Sequence, residues 1–174
     1  MTVQGTFSQG YIFIGPYQAP GSGPYIYDKF GNLVFDGFGI FGPANAHDFK
    51  VCQYYGVPHL CAKLANQQNG YAVGVGVIID SNYHIVASVQ TGRDAMPADQ
   101  HEFLLLDGES PTAILTSYRV ISTDMSRFGI YGQGWLLEGM FQEVNVQSGE
   151  VLFEWYSTNP VSYTHLTLPT KRIV

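Results

Sequence analysis

A short strand, a tight turn and a second strand recur along this chain, and this pattern restricts its fold more than any other feature. The pattern occupies residues 25–35, returns 52 residues later at 77–87, and appears again at 144–153. Each copy is rich in β-branched and aromatic residues, with Asp, Asn or Gly where the chain must turn. No segment shows the sustained 3.6-residue period of an amphipathic helix. The sequence therefore predicts an all-β protein built from repeated hairpins.

Further strand-like segments between these hairpins give each repeat four strands. The predicted strands lie near 24–27, 32–36, 46–54 and 59–64, then 72–79, 84–89, 102–106 and 113–119, and finally 135–146 and 150–155. Four antiparallel strands that recur about every 52–54 residues are typical of a β-propeller blade. Because propellers have at least four blades, the chain is predicted to be a propeller fragment of about two and a half blades.

The predicted organisation divides the chain into five parts. A leading strand and loop cover 1–23, two blades cover 24–70 and 71–125, and a partial blade covers 126–161. Residues 162–174 break the strand pattern and resemble the conceptual translation of a sequencing adapter. They are therefore expected to be foreign to the protein, although a genuine Thr-rich strand or tail is the alternative interpretation.

Composition excludes several functional classes. The net charge is −6 and only eight residues are Lys or Arg, so the basic patch of a nucleic-acid-binding protein is not expected. No apolar run reaches the roughly 18 residues of a membrane-spanning helix, and residues 1–15 show no signal peptide. Residues 37–42 match the glycine pattern of dinucleotide-binding loops, but Pro43 and an extended segment follow instead of a helix. No cofactor is predicted.

Two histidines occupy corresponding places in successive repeats. His47-Asp48-Phe49 and His101-Glu102-Phe103 lie 54 residues apart, each at the start of a predicted third strand. Equivalent positions on neighbouring blades meet near the central channel, where propellers usually bind ligands. Because a neutral imidazole is a competent nucleophile and general base, His101 and His47 are the candidate catalytic residues. The alternative is that this element nucleates each blade, with the imidazole bonded to neighbouring backbone.

Charged residues beside the histidines have separate predicted roles. Arg93, in the loop before His101, is the nearest candidate for binding a substrate anion, and a solvated loop arginine is the alternative. Asp48 and Glu102 follow the histidines directly, so strand alternation turns them to the opposite face. They are therefore predicted to orient groups between blades. A zinc or iron site needs three or four converging ligands, and no metal site is predicted.

The two cysteines flank a predicted hairpin turn at residues 55–58. If residue 55 pairs with residue 58, Cys52 lies opposite Cys61, within the distance that a disulfide can bridge. A disulfide would indicate an oxidising compartment, whereas two buried free thiols are the alternative.

Several motifs, each weak alone, together resemble the fungal branch of the arylsulfotransferase-like propellers. They lie at 10–17, 23–28, 45–49, 101–103, 132–135 and 141–155, and the resemblance covers about residues 10–161. The Cys52 and Cys61 pair also fits the pattern of that family. The resemblance implies a secreted PQQ-type propeller, six-bladed in the bacterial enzymes.

The resemblance also implies a reaction. The bacterial enzymes move a sulfuryl group from one phenol ester to another phenol, through a transient sulfohistidine and without a nucleotide sulfate donor. A small phenolic or aryl sulfate substrate is therefore expected, while no oligomeric state is indicated. The fungal pattern has a further histidine motif that this chain ends before reaching. The chain alone is thus expected to be inactive, and a binding or scaffold propeller without chemistry is the alternative.

Overall fold

The computed structural model describes residues 8–16, 19–42 and 44–159, with only the backbone described for Arg127. The predicted all-β class is confirmed, and the antiparallel sheets of three or four strands are those expected of propeller blades. The adapter-like segment 162–174 lies outside the described residues. Within the described residues, neither helix has the length and apolar character needed to cross a membrane.

Three meandering sheets contain the strands in chain order. The first sheet contains β1 (Tyr11–Ile14), β2 (Tyr25–Asp28) and β3 (Leu33–Asp36), followed by the one-turn helix α1 (Phe38–Phe41). The second contains β4 (Asn45–Tyr54), β5 (Val57–Gln67), β6 (Ala72–Ile79) and β7 (Ile85–Val89). The third contains β8 (Phe103–Leu106), β9 (Thr112–Asp124), β10 (Gln133–Asn145) and β11 (Val151–Tyr156), with a 3-10 turn at Met125–Phe128. The first strands of successive sheets are in contact, β1 with β4 and β4 with β8, as the inner strands of adjacent blades are.

The sheets divide the chain at different places from the predicted blades. The predicted boundary after residue 70 falls between β5 and β6, which pair in antiparallel register as far as Gln67 opposite Ala72. A tight turn joins them, in which the Gln68 N–H donates to the Tyr71 carbonyl at 2.7 Å. By contrast, α1 separates β3 from β4, and these strands lie in different sheets. Each four-stranded sheet therefore starts two strands later than the predicted blade.

The second sheet has an apolar core on both of its faces. Ile78 packs with Phe103 and Leu115 of the third sheet, whereas its neighbours Val77 and Ile79 pack against the first sheet. Successive side chains of a strand point to opposite faces, so a continuous apolar run is what a strand buried on both sides requires. The second sheet is thus an internal layer between its two neighbours.

The disulfide between Cys52 and Cys61 is present, with the two Cα atoms 5.8 Å apart, but the predicted register of the hairpin is wrong. Tyr54 pairs with Val57, so that Cys52 lies opposite His59, two residues from Cys61. Tyr55 and Gly56 both have positive φ angles, of 52° and 71°. Two left-handed residues make the tight two-residue turn that matches strand twist, which shifts the register from the one predicted.

Candidate functional site

A β-bulge next to His47 shapes one side of the junction between the second and third sheets. The pairing of β4 with β5 shifts between His47 and Lys50, and Asp48 adopts a positive φ of 50°. The Asp48 carboxylate then reaches the next sheet, where it accepts the Phe103 N–H at 2.9 Å. It also accepts a hydrogen bond from Lys50 at 2.7 Å, and Lys50 lies 3.4 Å from Glu102. Asp48 therefore links the second sheet to the third, and its predicted role in orienting groups between blades stays a prediction.

His101 is held by a buried carboxylate on its own segment. Its Nδ1 makes a short hydrogen bond with Asp99, whose side chain is only 2% exposed, while the His101 side chain is 63% exposed. The other Asp99 carboxylate oxygen accepts the Ala72 N–H at 2.8 Å. Burial alone would raise the pKa of Asp99, but hydrogen bonds from His101 and from the Ala72 and Gln100 N–H groups outweigh it and lower the pKa. Asp99 is therefore an ionised acceptor.

The two predicted catalytic histidines belong to the same electrostatic cluster. Burial lowers the pKa of His47, the proximity of His101 lowers it further, and the Asp99 carboxylate opposes both effects. His47 comes from β4 in the second sheet, whereas His101 and Asp99 come from the segment that leads into the third. The structure thus brings together two side chains that are 54 residues apart in sequence.

The segment before His101 is fixed by hydrogen bonds to both sheets. The Ala98 carbonyl accepts the Gly74 N–H of β6 at 2.8 Å. On the other side, the Asp99 N–H donates to the Thr116 carbonyl of β9 at 2.8 Å. A carboxylate on backbone pinned at both sides has little freedom, so Asp99 holds the His101 ring in a defined orientation.

A lysine that the sequence analysis missed also belongs to this cluster. Lys63 of β5 is opposite His47 in the β4–β5 register and is fully buried. Its Nζ lies 5.9 Å from the centre of the Phe103 ring and has no hydrogen-bond partner among the described residues. Burial lowers the pKa of Lys63 to about 7, although the Asp99 and Asp48 carboxylates act in the opposite direction.

Each missed residue left a weak signal in the sequence. Lys63 interrupts the apolar strand segment of residues 60–65, and a charge in such a segment is uncommon unless it has partners. Asp99 lies two residues before His101, inside the segment that carries the histidine motif. Neither signal indicates that the two residues meet, because one lies in the second sheet and the other leads into the third.

Arg93 lies away from the histidines. Its guanidinium donates to the Glu154 carboxylate at 2.7 Å and to the Val151 carbonyl at 3.2 Å. Both acceptors lie on β11, the last strand of the third sheet, whereas His101 precedes β8 at the opposite edge. The side-chain amide of buried Gln142 holds Gly92, the neighbour of Arg93: it accepts the Gly92 N–H and donates to the Gly92 carbonyl. In this arrangement Arg93 anchors the loop to β11, and its binding of substrate stays a prediction.

A cleft elsewhere on the surface is separate from the histidine cluster. A cleft of about 280 Å³ opens near the hairpin tips of the second sheet, lined in part by Ile26, His59 and Tyr83. It contains neither His47 nor His101. Within the described ranges, no group of three or more His, Cys, Asp or Glu side chains is arranged to hold a metal ion.

Comparison of the chain with models of known protein families gives a match to one family. A family model described as arylsulfotransferase (ASST) matches residues 60–172, which is more than half of the chain. The matched region contains Lys63, Asp99 and His101, and it begins after His47. It also extends into the adapter-like segment, whose foreign origin stays a prediction. No curated protein and no solved structure matched the chain.

Proposed function

Because the chain belongs to the arylsulfotransferase (ASST) family, we propose that it transfers a sulfuryl group from an aryl sulfate ester to a phenol through His101. No nucleotide sulfate donor takes part in this reaction. The observation that carries the proposal is the Asp99–His101 pair, in which a buried carboxylate holds Nδ1 of a largely exposed imidazole.

The pair suits His101 to act as a nucleophile. An ionised Asp99 only accepts hydrogen bonds, so the Nδ1 atom of His101 carries the proton and Nε2 carries the lone pair. Attack of Nε2 on sulfur forms an N–S bond, breaks the bond from sulfur to the aryl oxygen, and releases the donor as a phenolate. Positive charge then develops on the imidazole ring, where the Asp99 carboxylate stabilises it.

His47 is proposed to assist the second half of the reaction. An acceptor phenol must lose its proton as its oxygen attacks sulfur and the N–S bond breaks. The lowered pKa of His47 keeps its imidazole neutral at neutral pH, and a neutral imidazole can take that proton. The proton then returns through solvent to the phenolate released in the first half, so that protons balance over the cycle.

Two further proposals concern the substrate anion and the compartment. The Arg93 guanidinium is already bonded to Glu154 and to the Val151 carbonyl, so in binding the sulfate oxygens we assign Arg93 a smaller part than the two histidines. We also propose that the protein is secreted, as the family resemblance implies. The disulfide between Cys52 and Cys61 supports this proposal, because disulfides persist in oxidising compartments.

A non-catalytic propeller is the second candidate function. It is favoured by one observation, that Asp48 and Lys50 in the first histidine motif join the second sheet to the third. In that case the repeated His-carboxylate-Phe element fastens adjacent blades together, and the exposed His101 has no chemical role.

The chain alone is expected to be inactive, so the test uses the complete propeller of which this chain is predicted to be a fragment. Transfer from 4-nitrophenyl sulfate to a second phenol is followed by release of 4-nitrophenol in the wild-type propeller and in its His101→Gln variant. A matched control is His84→Asn, since His84 is also exposed and its Nδ1 lies 3.9 Å from the Asp80 carboxylate, but on a hairpin tip. The acceptor is omitted in a parallel reaction, and the protein mass is measured for an added sulfuryl group.

We expect turnover in wild type and in His84→Asn, with a loss of at least about 1000-fold in His101→Gln, because the nucleophile is removed. The added sulfuryl group should be found on wild type and be missing from His101→Gln. Equal rates in wild type and His101→Gln would overturn the assignment of His101. Absence of transfer from every form of the protein would favour the non-catalytic propeller.

A further inference from the structure

Lys63 is a fully buried, ionisable residue of the cluster, and the proposed reaction assigns it no role. Its side chain is fully buried between the second and third sheets. Its neighbours come from three strands and one loop segment. His47 and Asp48 lie on β4, and Gly76, which has no side chain, lies opposite Lys63 on β6. Asp99 precedes β8, and the Phe103 ring lies on β8. The cluster therefore places one ammonium group near two carboxylates.

Lys63 acts on these carboxylates through space rather than by direct pairing. Its Nζ makes no hydrogen bond to any residue that the structure describes, yet both Asp99 and Asp48 influence its ionisation. Charges interact more strongly where water is excluded, so an ammonium at this position changes the potential felt by the Asp99–His101 pair.

The charge of Asp99 creates a difficulty that Lys63 resolves. A carboxylate bonded to an imidazole favours the protonated imidazolium, which has no lone pair on Nε2 and cannot attack sulfur. A cation close enough to interact with the same carboxylate offsets that effect. The same carboxylate can then orient the ring without forcing it to take up a second proton.

We infer that Lys63 is a positioning residue of the sulfuryl-transfer site, whose ammonium offsets the charge of Asp99 and so keeps His101 in its neutral, nucleophilic form. This inference rests on the proposed function of His101. Because the pKa of Lys63 is lowered to about 7, its charge changes in the neutral pH range, where a histidine nucleophile operates.

The test compares Lys63→Met, which removes the charge at similar length, with Lys63→Arg, which retains it. The ring proton signals of His101 and His47 are followed by NMR as a function of pH, and the pH dependence of 4-nitrophenyl sulfate turnover is measured in parallel. In Lys63→Met we expect the His101 titration midpoint to move up by about 0.5 to 1 pH unit, and the acid limb of the turnover profile to move with it. Lys63→Arg should stay close to wild type.

The two readouts separate this inference from the proposed function. An unchanged His101 midpoint in Lys63→Met overturns the role of Lys63, even if the wild type is an active transferase. A shifted midpoint in a protein without turnover supports the electrostatic role of Lys63 and contradicts the proposed reaction. If Lys63 had only a structural role, Lys63→Met and Lys63→Arg would both lower the free energy of unfolding, and the His101 titration midpoint of the folded protein would not change.

A second measurement covers a Lys63→Met variant that does not fold. The Lys63 side chain is observed by NMR through its Nζ and Cε signals in wild type and in Asp99→Asn, whose amide oxygen can still accept the Ala72 N–H. Loss of the carboxylate should make Lys63 release its proton at a lower pH, because Asp99 favours the ammonium form. An identical Lys63 titration in the two proteins would overturn the inference.

Discussion

The two junctions between neighbouring sheets differ in what they bury. At the first junction, Phe35 stacks on Tyr83 with ring centres 4.0 Å apart, and the surrounding core is apolar. At the second junction, Phe103 belongs to a similar apolar core, but fully buried Lys63 and nearly fully buried Asp99 lie beside it. Apolar packing alone is thus sufficient to join two of these sheets, so the charges at the second junction call for another explanation.

Buried charge is costly, which is why the difference between the junctions is informative. Replacement of buried ionic groups by apolar residues of similar size is often neutral or stabilising. A site that nevertheless keeps an ammonium and a carboxylate, next to two histidines, is a candidate for chemistry. The first junction therefore serves as an internal reference for what the fold alone requires, and four predictions test the comparison.

The largest effect is expected from the aromatic residue that supports the charged cluster. Phe103→Ala should lower the free energy of unfolding by about 4–5 kcal/mol, and Phe35→Ala at the first junction by about 3 kcal/mol. Phe103 is fully buried, and its ring packs so closely on Gly76 that a Cβ added to Gly76 would lie only 2.7 Å from it. Because Gly76 has no side chain to move into the cavity, little can fill the space left by the Phe103 ring. Chemical denaturation measures both. An equal or larger loss at Phe35 would show that the junctions are energetically alike.

The second prediction concerns the cost of the buried ammonium. Lys63→Met should raise the free energy of unfolding at pH 7 by on the order of 2–4 kcal/mol, since Met fills the site without a charge to bury. In wild type the folded pKa of Lys63 is about 7, below the ordinary lysine value of 10.5 that applies in the unfolded chain. Between these values the unfolded chain binds more protons, so wild-type stability should rise with pH across that window and level off above it.

Denaturation at a series of pH values measures this slope. In Lys63→Met the rise between about pH 7 and 10.5 should be absent, because the titrating group has been removed. Lys63→Arg is the control: its charge does not titrate in this window, so the rise should be absent there too, but its stability should stay below that of Lys63→Met because the charge remains buried. A wild type whose stability does not change across this window would contradict the buried-charge interpretation of the second junction.

The third prediction separates catalysis from packing at Asp99. Asp99→Asn should reduce turnover by about 100-fold or more, because the amide neither stabilises positive charge on His101 nor sets its tautomer. Its effect on stability should depend on pH. The pKa of Asp99 is lowered in the folded protein, so the stabilisation that it provides is present above the unfolded value near 3.8 and is lost as the pH falls below it.

Turnover assays and acid denaturation test these two effects of Asp99→Asn. The variant should lose the acid-sensitive part of the wild-type stability that is due to this carboxylate. Turnover within a few-fold of wild type would show that the charge at the second junction serves the fold and not the reaction.

The smallest effect is expected at the edge of the third sheet, away from both junctions. Arg93→Ala should lower stability by only about 0.2–1 kcal/mol, because its ion pair with Glu154 is half exposed and screened by solvent. The KM for 4-nitrophenyl sulfate is measured in the same variant. A rise of tenfold or more would establish Arg93 as a substrate-binding residue, and a KM within threefold of wild type would assign it to loop anchoring.

The sequence predicted the strands better than it predicted how they pair. Strand positions follow from local alternation and from turn residues such as Asp28 and Asp80, whose carboxylates each accept two backbone N–H groups of their own turns. Pairing depends on which hairpins close and on how tightly. The left-handed pair Tyr55 and Gly56 changed one register, and the β5–β6 turn moved the sheet boundaries.

For the site, the repeat in the sequence predicted that His47 and His101 lie near each other, because equivalent positions in a repeated fold lie in equivalent places, and the two imidazoles do interact electrostatically. The sequence also determined the all-β class and the two cysteines that form the disulfide. Only the tertiary structure brought Lys63 near enough to Asp99 for their charges to interact, and placed Arg93 against β11 at the far edge of the third sheet. These contacts join segments from different strands and sheets, and burial and electric potential arise only once those segments have packed together.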